Sequence, residues 1–97
     1  MVVIIGGLEY KLGNIPPTEE NLELLYMFLD NEISGAGIKA FRQLLQVSIS
    51  NGESADDADT ALKALPIMGM MDAESEFFKA KKALIYYVMG TPQPTEG

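Results

Sequence analysis

The N-terminus limits the fold more than any other stretch. Val2-Val3-Ile4-Ile5 is a β-branched run, Gly6-Gly7 follows it, and Leu8-Glu9-Tyr10-Lys11-Leu12 alternates apolar with polar. β-branched residues favour strands, and a glycine pair supplies the positive φ of a two-residue hairpin turn. The alternation places Leu8, Tyr10 and Leu12 on one face. Residues 2–12 therefore read as a β-hairpin. A lone hairpin is marginal in water, so helices must cover it or a neighbour's sheet must extend it.

The rest of the chain has a helical pattern. Gly13-Asn14 and Pro16-Pro17 end the extended region, and Thr18 is placed to cap a first helix that opens with Glu19, Glu20 and Glu23. Leu22, Leu25, Tyr26, Leu29 and Ile33 share one face of it. Leu24, Met27 and Phe28 widen that face to most of the circumference. So apolar a helix is either central in a small domain or covered by a second chain. After a break at Ser34-Gly35-Ala36-Gly37, a second helix carries Ile38, Phe41, Leu44, Leu45 and Ile49, with Asn51-Gly52 as its C-cap.

Ser54 and Asp57 form a capping-box variant for a third helix. Ala58, Ala61, Leu62 and Leu65 give it a stripe, and Pro66 ends it. Asp72 is placed to cap a fourth helix over residues 73–89, with Phe77, Ala80, Leu84 and Val88 inward. The expected fold is α+β and mainly helical, an N-terminal hairpin followed by about four short amphipathic helices. Residues 1–90 form one domain, and the Pro- and Gly-bearing residues 91–97 a flexible tail.

Composition removes whole classes of function. The 97 residues carry 7 Lys+Arg against 14 Asp+Glu, a net charge of −7, with no Cys, His or Trp. Zinc sites built on Cys or His, disulfides, thiol nucleophiles and His-based triads are all excluded. Binding to nucleic acid or anionic membrane is not expected, because both need clustered basic residues. The apolar start is too short and lacks the basic flank of a signal peptide. No run approaches the ~18 apolar residues of a membrane span. The expectation is a soluble protein of the cytoplasm. No cofactor, metal site or catalytic residue is expected.

Several clusters still need an explanation. Glu53, Asp56, Asp57 and Asp59 are acids of a divalent-cation type, but they lack calcium-loop spacing, and charged capping of a helix start accounts for them. Gly35-Ala36-Gly37 precedes a helix without the lysine or spacing of a phosphate loop. Lys79, Lys81 and Lys82 read as a solvated helix face, with Glu76 pairing Lys79. Met68, Met70 and Met71 flank Gly69 in a connector, and flexible thioethers suit adaptable binding surfaces or a lid over a small core. Tyr86 and Tyr87 diverge by about 100° on a helix, so both cannot face one core. The candidate partner or oligomer contacts are therefore Tyr26, Phe28, Met68, Met70, Met71, Tyr86 and Tyr87.

The order of these parts has a counterpart. The hairpin Ile4-Ile5-Gly6-Gly7-Leu8-Glu9-Tyr10-Lys11-Leu12 precedes helices, and Phe41-Arg42-Gln43-Leu44-Leu45-Gln46-Val47-Ser48-Ile49-Ser50 leads to an acidic helix start and a final helix. This resembles the small tail assembly chaperones of long-tailed bacteriophages. Pro16-Pro17 and the methionine connector depart from that pattern. The resemblance implies a non-enzymatic, self-associating helper, acting in the host cytoplasm, that binds the apolar helical tape-measure protein. The alternative reading is a small acidic inhibitor or nucleic-acid mimic, of anti-defence type, that binds a basic host protein. The hydrophobic share of 47% is generous for one small core and is the main reason to expect a protein partner.

Overall fold

The hairpin forms where its sequence places it. In the computed structural model, which describes residues 2–30, 35–65 and 75–89, strand β1 is Val2–Ile5 and strand β2 is Leu8–Lys11. They pair antiparallel, with Val3 opposite Tyr10 and Ile5 opposite Leu8. Gly6 and Gly7 have φ of 61° and 81°, the double left-handed signature of a type I′ turn. Val3, Ile5, Tyr10 and Leu12 face inward and are buried, while Val2 and Ile4 face outward. Leu8 shares the inner register but sits at the turn end, where it is largely exposed.

Four helices follow: α1 (Glu19–Asp30), α2 (Gly35–Gly52), α3 (Ala55–Ala64) and α4 (Glu76–Val88). The fold is α+β and mainly helical. Helix α2 is the central element, packing against α1, α3 and β2, while α4 covers β1. Its inward stripe is Gly37, Ala40, Phe41, Leu44, Leu45, Ser48 and Ile49, an unbroken i, i+3/i+4 series over three turns. Phe41 is the hub. Its ring lies 5.4 Å from Phe28 of α1 and, edge-on, 5.1 Å from Phe77 of α4. Three helices therefore meet on one aromatic cluster.

Side-chain caps set the helix starts. The Thr18 hydroxyl accepts the Asn21 amide at 3.1 Å, Ser54 accepts Asp57 N–H at 3.1 Å, and Ser75 accepts Phe78 N–H at 3.1 Å. Each satisfies an amide of the first turn that has no intrahelical partner. The third of these corrects an expectation. Helix α4 begins at Glu76 rather than at 73 because Ser75 is its cap; Asp72 lies outside the described residues. The expected break at Gly35-Ala36-Gly37 is likewise the first turn of α2 itself, with Gly37 buried in the inward stripe.

Gly52 also differs from expectation. It has no positive φ, so it is not a left-handed cap. It is glycine because the chain leaving the hairpin crosses the end of α2 backbone to backbone. A Cβ on Gly52 would overlap the Lys11 carbonyl, and one on Gly13 would overlap the backbone of Asn51 and Gly52. Hydrogen bonds hold the crossing. Gly13 N–H donates to the Ser48 carbonyl at 2.7 Å, and the buried Ser48 hydroxyl donates to the Gly13 carbonyl at 2.9 Å. Asn51 Nδ2 donates to the Asn14 carbonyl at 2.5 Å.

Two further contacts use charged side chains to close backbone groups. The Glu76 carboxylate accepts Gly6 N–H at 2.9 Å and Gly7 N–H at 3.4 Å, which ties the hairpin turn to the start of α4. Glu76 is thereby taken from the expected pairing with Lys79. At the end of α3, the Leu62 carbonyl would receive the amide of residue 66, but Pro66 has none. Arg42 Nη2 donates to it instead, at 2.9 Å.

Candidate functional site

The helix that the sequence marks as most apolar is not the central one. Helix α1 lies at the side of α2, and its inward side centres on Phe28, flanked by half-buried Leu24, Leu25 and Leu29. The expected face, Leu22-Leu25-Tyr26-Leu29 with Ile33, which lies outside the described residues, is rotated by about one residue from the observed one. The reason is the aromatic hub: burying Phe28 against Phe41 turns Leu22, Tyr26 and Met27 outward. Tyr26 is 64% exposed and Leu22 41%. Phe28, expected as a partner contact, is instead a fully buried core residue.

Beside this exposed flank lies an apolar groove of about 250 Å³. One wall is the linker Asn14-Ile15-Pro16-Pro17, the other is the end of α4 at Tyr87 and Val88, and Leu44 of α2 lines it from below. Asn21, Leu22 and Leu25 of α1 complete it. The linker is fixed by local chemistry. The Pro16 carbonyl accepts both Thr18 N–H and Asn21 Nδ2, each at 2.8 Å. Two prolines with restricted φ stiffen that wall further. The groove is thus preformed, and its lining is mainly hydrocarbon and aromatic.

The candidate contacts divide between several places. Tyr26 stands exposed on the same flank of α1 as Leu22, and Tyr87 lines the groove. Tyr86 is half-buried and lies outside the groove lining. Met68, Met70 and Met71 lie outside the described residues. Leu22, Leu25, Ile15 and Val88 were not singled out as contacts by sequence. Their convergence depends on how α1, α4 and the linker meet, which no local pattern encodes. Met89, directly after α4, is a further exposed apolar side chain, and Val2, Ile4 and Leu8 are exposed on the hairpin.

The acidic residues show what the molecule does with its charge. Glu53 accepts Lys11 N–H at 3.2 Å, Asp59 pairs with Lys63 at 3.0 Å, and Glu76 holds the hairpin turn. Asp56 and Asp57 sit in the first turn of α3. No group of three potential ligands able to hold a metal ion occurs among the described residues. Lys79 and Lys82 are exposed, but Lys81 is only 7% exposed, its ammonium 5.3 Å from the Phe78 ring. Lys81 therefore departs from the expected solvated face: its stem packs while its charge sits over an aromatic ring. No helix among the described residues is long and apolar enough to cross a membrane.

No family model matches the chain, and no match is found among curated proteins or solved structures.

Proposed function

We propose that the protein is a non-enzymatic assembly chaperone of the phage-tail type, which associates with itself and binds an apolar helical client such as a tape-measure protein. The observation that carries this reading is the preformed apolar groove, which Leu22 of α1 lines and beside which Tyr26 is exposed. An amphipathic helix laid along α1 would place apolar side chains in the groove, the helix-in-groove mode. Exposed Val2, Ile4 and Leu8 on the hairpin offer a separate apolar surface for contacts between copies. A net charge of −7 keeps a partly apolar surface in solution.

The mimic reading needs acids free to stand in for phosphates. Glu53, Asp59 and Glu76 are engaged within the fold while Glu19, Glu20, Glu23 and Asp30 of α1 are exposed, so it is the apolar groove, not the charge, that favours the chaperone reading. The test is co-expression with a long, apolar helical tape-measure protein, followed by size-exclusion with light scattering. The expected result is a client kept in solution in a complex with several copies of this chain, and loss of the complex on Leu22→Asp. A client equally soluble without this chain, or a complex unaffected by Leu22→Asp, would overturn the reading.

A further inference from the structure

The hairpin has one closed edge and one open edge. Its two-residue turn makes Ile5 and Leu8 a hydrogen-bonded pair, and alternation makes Val3 and Tyr10 the next. The N–H and C=O of Glu9 and Lys11 therefore point away from β1, and those of Val2 and Ile4 point away from β2. The β2 edge is closed at Lys11. Its N–H donates to the Glu53 carboxylate at 3.2 Å, and its carbonyl lies against Gly52. On the β1 edge, the outward groups of Val2 and Ile4 have no hydrogen-bond partner among the described residues. The side chains there are also uncovered, Val2 being 39% and Ile4 54% exposed. Sheet edges are commonly blunted by charge, proline or a bulge. The strand Val2–Ile5 has none of these.

We propose that β1 pairs antiparallel with β1 of a second copy of this chain, giving one four-stranded sheet across a two-fold axis. The inference rests on the self-association in the reading above and names its surface. Outward donors and acceptors at alternate residues call for a strand as the occupant. The sequence is in register with itself. With Val3 on the axis, Val2 of each copy lies opposite Ile4 of the other, and each such pair exchanges two backbone hydrogen bonds. On the outer face Lys11 lies beside Val2 and Glu9 beside Ile4. Both outer rows across the sheet then read Lys11, Val2, Ile4, Glu9, with apolar contact in the middle and opposite charges at the ends. Like charges never share a row, although the chain carries −7. The closed β2 edges stop the sheet at four strands, so this contact yields a dimer and not a fibre.

The test combines amide hydrogen exchange with size-exclusion and light scattering on the full chain at low and high concentration. The expected result is a dimer at high concentration, with Val2 and Ile4 amides exchanging about tenfold more slowly than in the dilute protein. Glu9 N–H points out of the opposite edge and should not change. Ile4→Pro should give a folded monomer, because the lost N–H faces away from β2 and an edge tolerates proline there. Ile4→Lys keeps the backbone donor, charges the edge and should weaken the dimer. Circular dichroism checks that each variant is folded, and the exchange measurement on the unaltered chain decides the question where one is not.

A chain that stays monomeric at every concentration overturns both this inference and self-association. A dimer whose Ile4 amide exchanges as fast as in the dilute protein overturns the edge pairing and leaves self-association standing. So does a dimer that persists in folded Ile4→Pro. Slowed exchange at Glu9 in place of Ile4 would put the contact on the other edge and overturn the inference as well.

Discussion

Phe41→Ala is the substitution that most directly probes the packing. The Phe41 ring is 1% exposed and touches the rings of Phe28 and Phe77. Truncating a buried Phe costs about 3–5 kcal/mol, the transfer term plus the unfilled cavity. A domain of this length has a total stability of only about 5–15 kcal/mol. With an unfolding entropy of about 2.1 cal/mol/K per residue, a 97-residue chain carries about 0.2 kcal/mol/K. A loss of about 4 kcal/mol then lowers Tm by about 20 °C. Thermal unfolding followed by circular dichroism reads this directly. A Phe28→Ala/Phe41→Ala cycle should also show a coupling of about 0.5–1.5 kcal/mol between the rings. A Phe41→Ala protein melting within about 5 °C of the parent would refute the hub and the assigned inward face of α2.

Three other substitutions test local features. Gly52→Ala should destabilise by about 1–3 kcal/mol, because its Cβ meets the Lys11 carbonyl, a backbone atom that cannot swing away. Gly35→Ala, with open space around its Cβ, should be neutral or slightly stabilising in a denaturant titration. Glu76→Ala should cost about 1–3 kcal/mol by removing a charged acceptor from two backbone amides, and hydrogen exchange at Gly6 and Gly7 should accelerate more than at Val3.

The fold was readable where local chemistry and tertiary packing agree. The hairpin, the Thr18 and Ser54 caps and the inward stripe of α2 all follow from residue type and spacing, because each is satisfied within a few turns of chain. The face of α1 did not follow. Its apolar residues cover most of the circumference, so only the match of Phe28 to Phe41 across two helices decides which side turns in. The start of α4 lies later than the spacing predicts because the Ser75 hydroxyl caps it. The Gly52 role was hidden for the same reason as the groove. Both arise where segments distant in sequence meet, Lys11 and Gly13 against Gly52 in one case, Pro16 and Leu22 against Tyr87 in the other. Tyr26 and Tyr87 were nonetheless marked by sequence, because a large amphipathic ring on an already crowded helix has to emerge somewhere.

The most direct test of helix docking at the groove is an amide chemical-shift titration of the ¹⁵N-labelled full chain with a synthetic amphipathic helical peptide that carries one Leu/Ala stripe. Docking at the groove predicts the largest shifts at Asn21, Leu22, Leu25, Tyr26, Tyr87 and Val88, with Val2, Ile4 and the α3 amides unmoved. Shifts concentrated on the hairpin, or spread evenly over the acidic surface, would contradict it.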